Sequence, residues 1–392
     1  IPSNKILRGT PFTDNLGTTF CVGDDGKIYC TYLGAKLNGI YNNGSLEEAS
    51  KWFSVSCNDE DGPIYEKSKI QFLCFNASGT ALICMSTTYI HVLFIDYTKV
   101  ISMIKSRGSD RSKPLTFSKN TSQLKIGDEY IYSTFHPLKD TTIVALIRTS
   151  IENRTTDKHH DNISSNNSNK NMEYSSNIIL YDLSDTSNNL IVTRDWQFQT
   201  LSPPSSFTFP QFSQSRIGFG CWELLTIYIL LEDGQISAMC PVTPDGAEIS
   251  GETMSYLIKS VSSSAERQNV GGNNLLDDEA ESNKVAKLWL KSSWIDQVGN
   301  GKCFTYFESN GKDNFTPMIQ TPLRCLSNIN VELEQFTRCA KSFHSVNMTS
   351  FSSSMHVPTV FTVIYQSGLL QTLIGPLASP KPKWTHIRTD KY

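Results

Sequence analysis

The amino-acid sequence predicts an all-β protein, namely a single β-propeller of about seven blades with a helical insertion after residue 250. One pattern recurs along the chain: an apolar or β-branched run, a polar turn that ends in glycine, and a second alternating run. Such units are typical of β-hairpins. They follow one another in groups of three or four short strands, as the blades of a propeller do.

A propeller also explains the length of the chain. Its 392 residues exceed one ordinary domain, but blades add side by side around an axis, so a single propeller can reach this size. The repeats are irregular and lack a Trp-Asp signature, so about seven blades is an estimate within the usual range of about four to eight.

The hairpins share a polar turn that contains a glycine. Four are clear and the last in this list is weaker: Thr18–Leu33, Ile70–Met85, Leu225–Cys240, Phe361–Gly375 and Cys303–Ile319. In the four clear hairpins the glycine supplies the positive φ that a short turn requires, and Asp, Asn or Ser before it suits the same geometry. These glycines are Gly26, Gly79, Gly234 and Gly368.

Further strands complete two groups. Thr87–Tyr97 follows the second hairpin and gives three strands in succession. Tyr130–Pro137, Thr141–Thr149 and Ser176–Ser184 form another three-stranded meander. Both groups have the strand number and spacing of a propeller blade.

Two long segments interrupt the strands. Residues Ile151 to Ser176 are polar and rich in Asn and Ser, which predicts a disordered loop between two strands of one blade. Residues Gly251 to Val298 differ, because apolar residues recur there at helical spacing on both sides of an acidic linker. The spaced residues in the second half are Val285, Leu288, Trp289 and Ile295. We predict a helix pair packed on the edge or face of the propeller.

The charge, the apolar segments and the cysteines of the sequence argue against several functional classes of protein. A net charge of -3, a pI near 6.2 and the lack of any run of Lys and Arg argue against direct nucleic-acid binding. No apolar stretch is long enough to insert into a membrane. The ten cysteines contain no C-x-x-C pair, and several stand within apolar strands, where reduced Cys acts as a small hydrophobe. This pattern favours a cytosolic or nuclear compartment.

The sequence predicts no catalytic residues, no cofactor and no metal site. His159 and His160 are adjacent but lie in the polar loop, where no fixed scaffold would bring further ligands together. No nucleophile elbow, zinc-protease helix or phosphate-binding loop occurs. We therefore predict a binding scaffold and not an enzyme. A propeller hydrolase stays open as an alternative, since its acids and arginines would converge on a central funnel from distant blades.

One segment carries a more specific signal. Cys221–Ile249 couples a tryptophan to a strand, an Asp-Gly turn, a second strand and a C-P-x-x-P sequence. It resembles the signature of the nucleoporin 82/88 family, and we identify the chain as a fungal member on this resemblance. The matching positions are Trp222, Thr226, Ile227, Tyr228, Leu230, Asp233, Gly234, Ile236, Cys240, Pro241 and Pro244. Ser202–Pro210 and Val363–Trp384 resemble the flanking parts of the family's propeller.

The resemblance implies a structural nucleoporin on the cytoplasmic face of the nuclear pore complex that supports mRNA export and protein transport. It implies that the propeller docks the C-terminal domain of a GLFG-repeat nucleoporin and the C-terminal tail helix of a second FG-repeat nucleoporin. The family's C-terminal coiled coil is absent from this sequence. We therefore expect residues 1–392 to be the isolated N-terminal propeller domain, with the insertion at 251–298 inside it.

The predicted partner-binding residues lie in the helical insertion. An apolar ridge or groove there could hold a partner helix, and the residues are Tyr256, Leu257, Val285, Leu288, Trp289 and Trp294. The alternative is that they pack onto the propeller. Cys240, Pro241 and Pro244 are interpreted as fold residues, because proline ends strand pairing and stiffens the exit from a strand.

Two other functions remain open from the sequence. One is a different intracellular propeller adaptor, of the vesicle-coat or WD-repeat type, which only the signature segment argues against. The other is a secreted propeller, which predicts disulfides between pairs such as Cys21 and Cys30.

Overall fold

The computed structural model describes the chain in ranges concentrated on its strands and helices. The described ranges are 8–13, 18–23, 26–32, 53–57, 69–107, 114–149, 174–183, 189–210, 221–266, 275–299, 302–307, 315–320, 326–327, 340–346, 360–365, 370–374 and 381–387. The chain divides into two compact units, one of residues 1–150 and 179–193 and the other of residues 151–178 and 194–392.

Strands dominate the described residues. The strands of the first part are β1 Arg8–Thr13, β2 Thr18–Val22, β3 Ile28–Tyr32, β4 Phe53–Cys57, β5 Phe72–Phe75, β6 Ala81–Met85, β7 Tyr89–Phe94, β8 Leu115–Gln123, β9 Glu129–His136, β10 Lys139–Arg148, β11 Tyr174–Asp182 and β12 Ile191–Thr200. Those of the second part are β13 Pro204–Thr208, β14 Ile227–Leu231, β15 Ile236–Met239, β16 Glu248–Ser250, β17 Trp294–Gly299, β18 Lys302–Phe307, β19 Phe315–Pro317, β20 Ile319–Gln320, β21 Leu326–Ser327, β22 Ala340–Val346, β23 Val360–Tyr365, β24 Leu370–Ile374 and β25 Trp384–Ile387. The helices are α1 Tyr97–Arg107, α2 Gly251–Glu266 and α3 Leu275–Ser293.

In the first unit, two antiparallel meanders join into one sheet with the order β1-β2-β3-β4-β8-β7-β6-β5. The join is a parallel pairing of β4 with β8, in which Val55 lies opposite Leu115. Both meanders contribute to one core, where the ring centroid of Phe20 lies 5.5 Å from that of Phe75 and 6.0 Å from that of Phe117. A further meander has the order β12-β11-β10-β9, and the unit boundary divides β11 and β12.

The described strands of the second unit form four smaller sheets. Its sheets have the orders β13-β14-β15-β20, β16-β18-β17, β19-β25 and β21-β24-β23-β22. Two of them share a core, in which Tyr228 of β14 meets Phe361 of β23 edge to face at 4.8 Å. The sequence predicted a β-propeller of about seven blades. The described strands form six sheets, and the eight-stranded one consists of two antiparallel meanders joined by the parallel β4–β8 pair. Short meanders that pack face to face are the construction of a β-propeller, and this prediction is confirmed.

The predicted hairpin turns are confirmed where the structure describes them. Gly26, Gly79 and Gly234 have φ of 76°, 73° and 85° and follow the first strand of each hairpin. β23 and β24 pair as predicted, and the turn between them at Gly368 lies outside the described residues. The predicted three-stranded meander is also confirmed as β9, β10 and β11.

Two strand predictions were wrong, one in its pairing and one in its end. Cys303–Ile319 is not a hairpin, because β18 pairs with β16 and β17 whereas β19 pairs with β25. The strand predicted over Thr87–Tyr97 ends at Phe94, since Asp96 caps a helix by accepting hydrogen bonds from the backbone of Thr98 and Lys99.

The helical insertion after residue 250 is confirmed as α2 and α3, but it ends at Ser293 rather than at Val298. Trp294 and Ile295 belong to β17, in which Trp294 is buried and Ile295 is exposed. Alternation of buried and exposed side chains is the mark of a strand, and it overrides the helical spacing that had included Ile295. Of the loop predicted at 151–176, Tyr174–Ser176 form the start of β11, and the rest, with His159 and His160, lies outside the described residues.

Five cysteines with described side chains, Cys21, Cys30, Cys74, Cys84 and Cys240, are buried or half-buried and form no disulfide. Cys21 and Cys30 sit on paired strands, where Cys30 lies opposite Phe20 and Cys21 lies opposite Tyr29. Neighbouring positions of a strand point to opposite faces, so these two thiols cannot meet. Burial raises the pKa of the Cys21 thiol to about 12.

Candidate partner-binding surface

The signature tryptophan, Trp222, lies in a 3-10 helix over Cys221–Leu225 that leads into β14. The backbone carbonyl of Trp222 accepts two bonds: the Thr226 hydroxyl donates to it at 2.7 Å and the Cys240 thiol at 3.6 Å. Thr226 and Cys240 are fully buried. The tryptophan, threonine and cysteine of the signature are therefore one hydrogen-bonded unit at the end of β15.

The same tryptophan side chain reaches the insertion. Its indole Nε1 donates a hydrogen bond to Oγ of Ser260 on α2 at 2.9 Å, and the Ser260 hydroxyl donates to the carbonyl of Leu257 at 2.7 Å. Trp222 and Leu257 are buried. The signature residue therefore fixes where α2 lies against the 3-10 helix.

The C-P-x-x-P segment guides the chain from β15 to β16. The Cys240–Pro241 peptide bond is cis, and the amide of Val242 donates to the carbonyl of Leu225 at 2.7 Å. The amide of Ala247 then donates to the carbonyl of Pro244 at 3.1 Å, which closes a turn. Pro241 and Pro244 are buried. This arrangement agrees with the interpretation of these residues as part of the fold.

An ion pair holds the same segment from the side. Nη2 of Arg194 on β12 lies 2.6 Å from Oδ1 of Asp245, two residues before Ala247. The Arg194 side chain is only 10% exposed whereas the Asp245 side chain is 40% exposed. A mostly buried guanidinium needs such an anionic partner, so the pair fixes the turn rather than offering a free charge.

An aromatic group joins α3 to its neighbours, and we call it the tryptophan cluster: Trp222, Trp289, Trp294, Trp384 and Phe307. Trp289 of α3 is central, with its ring centroid 5.7 to 6.3 Å from those of the other four. Tilted and edge-to-face contacts of this kind add to the free energy of apolar burial. The cluster therefore fastens α3 to the 3-10 helix, to β17 and β18, and to β25.

The chain just before β25 fastens the insertion a second time. The Ser282 hydroxyl of α3 donates to the carbonyl of Pro382 at 3.0 Å, and the amide of Lys383 donates to the carbonyl of Cys240 at 3.2 Å. The amide of Met318 donates to the carbonyl of Lys383 at 2.8 Å. One short segment thus ties α3, the signature and the start of β20 together.

The structure separates the six predicted partner-binding residues into two groups. Leu257, Val285, Trp289 and Trp294 are buried, within the helix pair or in the tryptophan cluster. Tyr256 is half-buried and Leu288 is 41% exposed. Packing accounts for the first four, and the role of the six in partner binding stays a prediction.

The outer surface of the helix pair contains residues that the sequence prediction did not name. Ile258 of α2 is 48% exposed, and Lys284 and Lys291 of α3 are exposed. The prediction was based on apolar spacing, which finds the face that a helix buries. The outer face could have been found from Lys284 and Lys291, which are four residues before and three residues after Leu288. Residues at these spacings lie on one side of a helix.

Within the described ranges, no three His, Cys, Asp or Glu side chains are placed so that they could hold a metal ion. Over the same ranges, no helix has the length and apolar character that crossing a membrane requires.

These features define a β-propeller with a helical insertion that is locked to the blades by aromatic packing. No family model and no curated protein matches the sequence. Among solved structures, the chain is similar to the Nup82 N-terminal domain in its complex with the Nup159 tail and Nup145N APD from Chaetomium thermophilum. The TM-score is 0.63 at 12% identity, over 100% of this chain and 72% of that chain.

Two weaker similarities were also found. The yeast heterotrimeric Nup82–Nup159–Nup116 complex aligns with TM-score 0.48 and 13% identity, over 100% of this chain and 73% of that chain. A chain described as a 6-phosphogluconolactonase from Bacteroides uniformis aligns with TM-score 0.32 and 12% identity, over 60% of this chain and 53% of that chain. The first similarity assigns the fold: the chain has the β-propeller fold of the Nup82 N-terminal domain.

Proposed function

We propose that this chain is a structural nucleoporin domain on the cytoplasmic side of the nuclear pore complex, where it docks FG-repeat nucleoporins and supports mRNA export without catalysis. The observation that carries the proposal is the similarity of fold over the whole chain to the Nup82 N-terminal domain, which was crystallised together with two other nucleoporins. Fold alone does not fix function, so the proposal also needs support from particular residues.

The signature region gives that support. Two of the residues through which the sequence resembles the nucleoporin 82/88 family, Trp222 and Cys240, make contacts that help to hold the helical insertion in place. Trp222 bonds to α2, and the carbonyl of Cys240 accepts the bond from Lys383 beside α3. A scaffold must present its docking elements in a fixed position, because ordering them on binding would reduce affinity. The signature therefore has a physical role that suits a scaffold.

The proposed partners are the C-terminal domain of a GLFG-repeat nucleoporin and the C-terminal tail of a second FG-repeat nucleoporin. The presence of the Nup159 tail and Nup145N APD in the crystallised complex supports partners of this kind. In this proposal the insertion at 251–298 belongs to the same 1–392 propeller domain, and its predicted binding residues are those named above.

Affinity capture from cells tests the proposal. The tagged full-length protein is purified under gentle conditions, and co-purifying proteins are identified by mass spectrometry, while a fluorescent fusion is imaged. We expect FG-repeat nucleoporins as the main co-purifying proteins and fluorescence at the nuclear rim. Capture of vesicle-coat subunits instead, or a diffuse signal with no nucleoporin captured, would contradict the proposal. Turnover of a sugar lactone by the purified protein would favour an enzyme.

A further inference from the structure

The connection between β12 and β13 contains a serine directly before two prolines, Ser202-Pro203-Pro204, which we call the SPP segment. Leu201, just before it, is 70% exposed, and Ser202 and Pro203 are half-buried. A residue before proline is restricted to extended backbone conformations, and each proline ring fixes its own φ. The Ser202 hydroxyl therefore lies on an extended and partly exposed segment, which is the backbone form in which protein kinases bind their substrates.

Three hydrogen bonds attach the SPP segment to its neighbours. The amide of Asp233 donates to Oγ of Ser202 at 3.2 Å, and the amide of Glu232 donates to the carbonyl of Pro203 at 2.8 Å. The Thr200 hydroxyl donates to the carbonyl of Ser202 at 2.8 Å. In all three bonds the SPP segment is the acceptor, and two of the donors are amides that follow β14.

The two prolines weaken this end of β13. Neither Pro203 nor Pro204 has an amide hydrogen, so neither can donate a bond to β14. The pairing of β13 with β14 also shifts its register between Pro204 and Ser206. A segment with few backbone bonds opens locally at a low cost in free energy. A kinase can therefore reach Ser202 while the core of the unit stays folded.

The Ser202 hydroxyl faces an acidic turn. Glu232 and Asp233 lie between β14 and β15, and Oδ1 of Asp233 accepts a hydrogen bond from the amide of Gln235 at 2.9 Å, which holds this carboxylate at the turn. Burial first, and then the charge of Asp233, raise the pKa of the Tyr365 phenol. The charge of Asp233 therefore already acts on the core beside the turn.

The sequence around this turn contains few cations. Lys and Arg are absent from residues 195–215 and from residues 217–258. Arg194, just before the first range, forms its ion pair with Asp245. A phosphate opposite arginines orders the segment that carries it, whereas a phosphate beside Asp or Glu disrupts the local structure by repulsion. A phosphate on Ser202 belongs to the second case.

We propose that Ser202 is a phosphorylation site for a proline-directed serine/threonine protein kinase, and that its phosphate loosens the β14–β15 turn by repelling Glu232 and Asp233. In the reaction, Oγ of Ser202 forms a bond to the γ-phosphorus of ATP, and the bond from that phosphorus to the bridging oxygen breaks, so that ADP leaves. The hydroxyl proton passes to a base of the kinase. The inference is independent of the proposed function, because it depends only on the SPP segment and the turn.

The first test locates the phosphate. The whole chain is incubated with ATP and a mitogen-activated protein kinase or, in parallel, a cyclin-dependent kinase, and the modified residues are found by mass spectrometry. Both kinase classes act on serine or threonine that is followed by proline. We expect phosphate on Ser202 in the wild type, and Pro203→Ala should reduce its incorporation roughly tenfold or more although the serine is still present. Thermal melts check that Pro203→Ala folds.

The matched control is Thr243-Pro244, the same kind of dipeptide in a buried turn. Thr243 is 3% exposed and should stay unmodified in the native protein. No phosphate on Ser202 with either kinase, or equal incorporation in Pro203→Ala, would overturn the proposal. So would phosphate on Thr243 at the level of Ser202, because exposure would then not select the site.

The second test measures the effect of the phosphate by hydrogen exchange of the purified phosphorylated and unmodified proteins. We expect exchange roughly tenfold faster in peptides that cover residues 229–237, with α2 unchanged as the control segment. In the Glu232→Gln with Asp233→Asn protein the phosphate should have little effect, because the repelling charges are removed while an oxygen that can accept from Gln235 is kept. Unchanged or slower exchange, equal acceleration in α2, or the same acceleration in the neutralised variant would overturn the proposal.

Discussion

The indole of Trp222 donates its hydrogen bond to Ser260 across 2.9 Å, and this bond connects a residue of the 3-10 helix to the middle of α2. The two residues are 38 positions apart in the sequence, and strands β14, β15 and β16 lie between them. The bond therefore closes a long loop, and its energy should be measurable separately from the packing of the ring.

A double-mutant cycle measures it. Trp222→Phe keeps most of the apolar ring and removes the donor, and Ser260→Ala removes the acceptor. We expect a coupling free energy of about 0.5–1.5 kcal/mol from denaturant unfolding, the usual net value of such a bond. The control is Ser262→Ala, whose hydroxyl bonds only within α2, to the carbonyl of Ile258. Additive effects of Trp222→Phe and Ser260→Ala would show that the bond contributes nothing.

The turn between β14 and β15 should not accept alanine. Gly234 has φ of 85°, and a Cβ there would lie 2.7 Å from Oη of Tyr365. We expect Gly234→Ala to destabilise the protein by more than about 1 kcal/mol, from backbone strain and the clash together. Denaturant unfolding measures the loss.

Tyr365→Phe provides the matched background for this change. It removes the Oη, and the next ring atom is 3.5 Å from the added Cβ, which is ordinary contact. It also removes the bond that Tyr365 donates to Oε1 of Gln371 at 2.7 Å. Gly234→Ala should therefore cost less in the Tyr365→Phe protein than in the wild type. An equal cost in both backgrounds would mean that only the backbone strain matters.

Trp289 should control the attachment of the insertion. Trp289→Ala removes the central ring of the tryptophan cluster, and deletion of a buried tryptophan costs about 3–5 kcal/mol. We expect faster hydrogen exchange and faster proteolysis throughout α3, since its remaining links are fewer. Lys284→Ala, on the outward side of the same helix, is the control. Protection in α3 that stays the same after Trp289→Ala would show that the cluster does not hold the helix.

The buried thiols make stability depend on alkaline pH. Burial raises the pKa of Cys21 and Cys240 from 9.0 to about 12 in the folded protein. The folded state therefore keeps these protons between those pH values while the unfolded state loses them, and stability falls as pH rises from about 9 to 12. Below about pH 9 the contribution is fully present. Unfolding curves collected across this range check the sign.

The same shift predicts slow alkylation. Only the thiolate reacts, so at about pH 8 the raised pKa reduces the reactive fraction of Cys240 roughly a thousandfold, before any steric protection. Mass spectrometry after iodoacetamide treatment should find Cys21 and Cys240 unlabelled in the native protein and labelled in concentrated guanidinium chloride. Labelling of both thiols at equal rates in the two conditions would contradict their burial, and a disulfide between Cys21 and Cys30 in non-reducing samples would contradict the reduced state.

Local sequence patterns are enough to predict an element whose conformation depends mainly on residues that are neighbours in the sequence. The hairpin at Gly79 was predictable because alternating apolar strands flank a turn whose geometry needs a glycine. The start of α2 also had a local signal that the prediction did not use: the Ser250 hydroxyl accepts a hydrogen bond from the amide of Thr253, which is an N-cap.

Two element boundaries were predicted wrongly, for different reasons. At the start of α1 the sequence contains a local signal that was overlooked, whereas at the end of α3 it contains none. Helix α1 begins after Asp96, a capping residue, but the apolar run that ends at Ile95 continued the strand pattern and hid the boundary. The change from α3 to β17 at Trp294 has no breaker residue. Its position depends on pairing with β18, where Trp294 lies opposite Phe307, and such long-range pairing overrides local helical preference.

The sequence by itself determined a repeated β-hairpin architecture, the place of the helical insertion and a signature segment centred on Trp222. These features depend on the periodicity of apolar residues, on the residue types in turns and on the spacing of motif residues, all of which can be read from a local stretch of sequence. Only the tertiary structure decided which insertion residues face inward. Trp289 and Leu288 are adjacent and both apolar, yet one is the centre of the tryptophan cluster and the other is exposed among lysines. The reason is physical: burial depends on which distant elements pack against a helix, and β17, β18 and the segment before β25 come together only in the folded chain.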